Sequence, residues 1–168
     1  MNKDYLLELA QYNVWANELM KSWLNELNET QWTQSLVGSF DSIAATVLHL
    51  AGAEKVWYER LNHKAEEFLS VSFNGTKDDL LAIWTQATDH LQTYVSTVPE
   101  SELETYFPYK NLKGEDLTLK RHQAIVHVFN HSTYHRGQLV NYLRQVGFTQ
   151  VSSTDMSTFY LLKNSGKG

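Results

Sequence analysis

The chain has 168 residues, 42% apolar and 20% charged, with a formal net charge of −5; this is ordinary for a soluble globular protein and suits one cored domain, 1–168. No basic stripe is present and no stretch reaches membrane-spanning length, which sets nucleic-acid and membrane partners aside. Absent cysteines exclude disulfides, thiolate ligands and cysteine nucleophiles, and an N-terminus without an apolar signal core makes a cytoplasmic protein the expectation.

Residues 4–27 predict the first helix, because Leu6, Leu9, Ala16, Met20, Trp23 and Leu27 recur at helical steps. Asn13 falls in that stripe, so its amide is either hydrogen-bonded inside or near a wet site. Asn28–Thr30 breaks the pattern, and Gln31–Phe40 reads as a loop with a short turn. Ser39 or Asp41 can cap a second helix, about 41–62, whose buried face carries Ile43, Val47, Leu50, Trp57 and Leu61. His49 lies within it, with small Ala53 one turn on; His63 at its end suits free carbonyls or water.

A loop over 64–75 closes on Asn74-Gly75, and Thr76-Lys-Asp-Asp79 has capping-box form. The helix it opens runs to about Val98, where Pro99 stops it; His90 sits one step off its inner face and reads as solvated. Thr105–Tyr109 and Asp116–Leu119 predict a small hairpin, with Pro108 on an edge strand and helices beneath it for support. A fourth long helix spans about Leu119–Val146 and ends at Gly147. Phe159–Leu162 predicts a short docked helix, and Lys163–Gly168 a frayed tail. The architecture expected is all-α, a four-helix bundle with a small β-hairpin before the last long helix.

The fourth helix carries His127, His131 and His135, each four residues from the next. Neighbours at that spacing lie about 6 Å apart along the axis and share a face, so two can bind one cation; the outer pair, about 12 Å apart, cannot easily do so. The stripe of Ile125, Val128, Phe129, Leu139 and Leu143 puts His135 at its edge, His131 further round and His127 almost opposite. A site inside a bundle therefore prefers His131 and His135, leaves His127 at the rim, and takes a third ligand from elsewhere, for which His49 is the candidate. Each histidine taken singly also fits a satisfied core or boundary residue.

The run Asn130-His131-Ser-Thr-Tyr-His135-Arg-Gly-Gln138 resembles the signature of the DinB family, often grouped with the YfiT-like metal-dependent hydrolases. Tyr12-Asn13-Val-Trp15-Ala16-Asn17 is similar to its N-terminal motif, and His49 with Trp57 two turns later to its first histidine. The likeness covers nearly the whole chain. It implies a four-helix bundle of up-down-down-up type, a divalent metal (commonly nickel or zinc) on His49, His131 and His135, and a homodimer. It also brings in relatives that use a low-molecular-weight thiol as cosubstrate.

Three neutral ligands leave an open coordination position, so the reacting group would be a metal-bound water or a thiolate, and nothing in the sequence chooses between hydrolysis and thiol transfer. No general base is identified. Asn13, Asn17, Tyr134 and Gln138 are available to orient the imidazoles, each also fitting a plain structural hydrogen bond. Arg136 could hold an anionic substrate but fits a surface or interface ion pair better. A metal-dependent enzyme acting on a small molecule leads; a non-catalytic metal- or ligand-binding stress protein and a purely structural bundle stand beside it.

Overall fold

The computed structural model describes residues 2–166. Asn2 opens α1 (Lys3–Asn25) by accepting the Asp4 N–H at 2.8 Å. Asn28 and Gln31 form a capping box over α2 (Glu29–Thr33), a five-residue helix within the stretch expected to be irregular. The cap of α3 (Ile43–Leu61) is Ser42, whose Oγ accepts the Ala45 N–H at 3.1 Å. Neither expected cap takes that role, because the helix begins at Ile43: the Ser39 hydroxyl accepts from Gln138, and the Asp41 carboxylate accepts from Ser42 itself.

The connection to the third long helix contains a single turn, α4 (Leu69–Ser72), held by buried Leu69. Thr76 and Asp79 cap α5 (Lys77–Thr97) reciprocally, as their spacing predicts. After a 3-10 turn at Glu100–Glu102, β1 (Tyr106–Lys110) pairs antiparallel with β2 (Asp116–Lys120), Pro108 facing Thr118. Phe107 sinks from this hairpin into the core. The last long helix, α6 (Arg121–Gln145), ends where Gly147 takes φ 85°, a left-handed conformation that glycine adopts without a Cβ clash. Helix α7 (Met156–Asn164) sets Phe159 against Tyr12 and Trp15 on α1, ring centroids 5.9 and 5.7 Å away. Of the tail expected to fray, Lys163 and Asn164 belong to α7, and 167–168 lie outside the described residues. His90, expected in solvent, stacks on Tyr58 at 4.6 Å.

Helices α1, α3, α5 and α6 form the bundle, α1 and α3 each lying against both α5 and α6. Directions follow from side-chain partners. Lys3 at the start of α1 donates to the Ser96 and Val98 carbonyls at the end of α5, and Lys77 at the start of α5 donates to carbonyls at the end of α1. These two helices are antiparallel. Arg121 at the start of α6 reaches the Leu61 carbonyl at the end of α3, so that pair is antiparallel too. Gln31, just past α1, donates to the Val146 carbonyl just past α6, which makes α1 and α6 parallel. The result is up-down-down-up.

Beside a small cluster where Phe159 meets Tyr12 and Ala16, the apolar core falls into two large clusters within the bundle. One gathers Met20, Leu24, Val47, Leu50, Trp84 and Leu143; the other gathers Leu6, Leu9, Leu61, Leu91, Ile125 and Val128. Between them in each helix comes a polar position: Asn13 and Asn17 on α1, Glu54 on α3, Thr88 on α5, Ser132 and Arg136 on α6, all buried. That layer is level with the histidines.

Candidate metal centre

Because α3 and α6 run antiparallel as neighbours, His49 on one faces His131 and His135 on the other. The three rings lie with centroids 4.3–4.9 Å apart. One nitrogen from each falls within 4.8 Å of the others. His49 Nε2 and His131 Nε2 are 3.0 Å apart. Nitrogens roughly 2.0–2.1 Å from one ion, with a bond angle between about 90° and tetrahedral, stand roughly 3 Å apart, so the spacing fits a shared cation.

His135 is oriented by Gln138, whose Oε1 lies 2.8 Å from Nδ1. An amide oxygen only accepts, so Nδ1 carries the proton and Nε2 keeps a lone pair for a ligand role. Gln138 is held in turn by Ser39, to which its Nε2 donates at 3.0 Å. Phe40 closes one side, its ring 4.6 Å from that of His49 and 5.7 Å from that of His135. The loop that delivers Phe40 crosses Tyr142 so closely that a Cβ at Gly38 would fall 1.7 Å from the Tyr142 hydroxyl, which donates to the Phe40 carbonyl at 2.8 Å.

Burial keeps all three rings neutral. Desolvation, with His135 adding to it, pushes His49 down to about 4. Desolvation followed by His135, His49 and His127 pushes His131 down to about 3. His135 is also lowered by desolvation, partly offset by Gln138. Neutral imidazoles are the form that binds metal. His131 Nδ1 is buried without a hydrogen-bond partner among the described residues.

His131 and His49 form part of the wall of a cavity of about 330 Å³ between α3, α4, the hairpin and α6. His127 lines the same cavity, its ring edge-on to Trp57 at 5.0 Å and 6.0 Å from that of His131, consistent with a place at the rim.

The other polar residues named from sequence are placed differently. Tyr134 is 62% exposed and meets His135 through its ring edge at 5.0 Å. Asn13 and Asn17 turn away from the imidazoles into the buried layer. Each donates its amide N–H to Glu54 Oε1 at 3.0 Å, and each accepts from Arg136 Nη1, at 2.6 and 2.8 Å. Glu54 accepts further from Ser132 and Thr88, at 2.8 and 2.7 Å. Arg136 is only 1% exposed, so it is neither a surface pair nor available to a substrate anion. Two asparagines bridge a carboxylate and a guanidinium that never touch.

Glu54 was not singled out from sequence. Its signal was present: it sits between Leu50 and Trp57 on the same stripe, as Arg136 sits between Ser132 and Leu139. A charged residue in an apolar stripe implies a buried partner elsewhere.

These features define an up-down-down-up helical bundle whose three histidines could hold a metal ion beside an open cavity. The model of the DinB family matches residues 1–161, and the chain belongs to that family. It is 25% identical over 170 residues to Protein DinB of Bacillus subtilis, covering 98% of each chain. It is 21% identical over 155 residues to the uncharacterized protein YizA of the same organism, covering 89% of this chain and 92% of the other. Two crystal structures share the fold. A DinB-like protein from Bacillus subtilis superposes with TM-score 0.66 at 12% identity, over 88% of this chain and 97% of that one. Another, from Bacillus cereus, gives 0.65 at 18% identity, over 86% and 95%. No helix among the described residues is long and apolar enough to cross a membrane.

Proposed function

We propose that this DinB-family chain is a divalent-metal-dependent enzyme of hydrolase or thiol S-transferase type, acting on a small molecule. The observation that carries this reading is the convergence of three imidazole nitrogens within 4.8 Å at the wall of a cavity of about 330 Å³. An all-imidazole donor set suits nickel or zinc. When bound, such an ion supplies Lewis acidity, which polarises a carbonyl or makes a water or thiol easier to deprotonate. The chain's own part is positional. Gln138 fixes the tautomer and angle of His135, Phe40 excludes water from one side, and the cavity brings a guest against His49 and His131.

Elemental analysis of untagged protein is expected to give one equivalent of metal per chain, and His131→Ala to lose it. Unchanged stoichiometry in that variant would overturn the ligand assignment. Turnover of esters, amides or a thiol plus an alkylating electrophile by the metallated protein then tests the enzymatic reading. A second reading, a non-catalytic metal or ligand binder, is favoured by one feature: no Asp or Glu among the described residues lines the cavity. Absence of turnover across the panel, with metal retained, selects it.

A further inference from the structure

We infer that the cavity beside the three histidines receives the uncharged, flat apolar part of a small molecule, an aryl group above all, and rejects an anion there. This deepens the reading above by naming the substrate class of the same site. The walls are Leu48, Val56, Trp57, Phe68, Leu69 and Tyr109. At about 330 Å³ the space lies at the small end of the roughly 300–1,000 Å³ typical of ligand pockets, enough for one or two fused rings.

Arg60 is the one cationic side chain among the lining residues, and it is already engaged. Its guanidinium lies 5.0 Å from the Trp57 ring centroid and 5.1 Å from that of Tyr109. Its Nε and Nη2 grip Glu66 at 3.1 and 3.0 Å, and Nη2 also donates to the Lys110 carbonyl at 2.7 Å. The Nε–Nη2 edge, one of the two that could take a carboxylate or sulfonate bidentately, is therefore occupied by a single carboxylate oxygen of the chain, Glu66 Oε2. An anionic guest would have to displace Glu66 or lie close to it. Arg60 instead stiffens the aromatic wall.

The rim points the same way. Leu112, on the hairpin turn, lines the cavity yet is 84% exposed, so a guest there would cover apolar surface now in water. The His127 ring, which also lines the cavity, stands against Trp57 at 5.0 Å and can offer a hydrogen bond to a polar substituent, such as a hydroxyl. Negative charge in such a guest would be met by a cation held on the three histidines, outside the aromatic recess.

The test is calorimetric titration of metal-stripped protein with 1-naphthol and with 1-naphthalenesulfonate, which differ in charge and share a ring system. The naphthol is expected to bind at least tenfold more tightly than the sulfonate. Ala53→Phe, which fills the recess, and Trp57→Leu, which removes its flat wall, are each expected to weaken naphthol at least tenfold. Either folded variant suffices if the other fails to fold. Sulfonate binding as tight as naphthol, no naphthol binding up to millimolar concentration, or affinity unchanged in a folded variant would each overturn the inference. Because the titration needs no metal, the two readings fail separately: untagged protein that contains no metal in elemental analysis yet binds naphthol would sink the enzymatic reading and leave this one standing.

Discussion

Arg136 and Glu54 carry opposite charges in the same buried layer, joined only through the amides of Asn13 and Asn17. An amide serves this purpose because it accepts at one end and donates at the other. Truncating Arg136 leaves Glu54 hydrogen-bonded but without an opposite charge and leaves both asparagine oxygens without their donor, and breaking a buried charge pair costs about 3–5 kcal/mol. Arg136→Met is expected to lower stability by about that much in urea unfolding; a change under about 0.5 kcal/mol, the range of ordinary surface substitutions, would show the layer to be slack. The imidazoles predict a pH dependence. In the folded chain His49 and His131 titrate near 4 and 3, below the unfolded value of 6.5, so between those values the unfolded chain holds more protons. The stability they contribute is complete above about pH 6.5 and is lost as pH falls towards 4 and then 3. Metal-free protein should show its urea midpoint falling across that window, and His131→Phe should flatten the fall. An identical slope in that variant would remove His131 as its cause.

Among the elements, the four long helices and the hairpin were legible because each is long enough to repeat a pattern or is bounded by distinct turn residues. The short α2 and α4, five and four residues long, hold no full period. The capping box of Asn28 and Gln31 was the readable sign of α2. Ser42 was missed as a cap because Ser39, Asp41 and Ser42 are equally good caps in isolation; only the structure shows that Ser42 takes the Ala45 N–H while Ser39 meets Gln138, 99 residues along the chain. The loop that ends at Ser42 also places Phe40 on the site. Gly38→Ala is expected to push that loop off Tyr142, at about 1–3 kcal/mol in stability, the usual cost of overpacking. Loss of the Phe40 wall should also speed metal release to a chelator. Release at the wild-type rate would show that Phe40 does not shield the rings.

For the molecule as a whole, the bundle and the histidine set were legible because period and spacing are properties of one helix at a time. Where Asn13, Asn17 and Arg136 point was not, since it depends on what three other helices present at the same height. A stripe reveals that a side chain faces inward and stays silent on what it meets there. The layer also separates the two large apolar clusters, so each end of the bundle packs around its own group of side chains. The up-down-down-up order has a further effect. His49 and its partners on α6 are separated in sequence by all of α5 and the hairpin, so the nitrogens meet only once the final long helix has settled. A cation that needs all three then arrives late in assembly, a clasp fastened after the parts are in place. Added metal should accordingly slow unfolding while leaving the rate of refolding unchanged, and stopped-flow traces with and without the ion would read that difference directly.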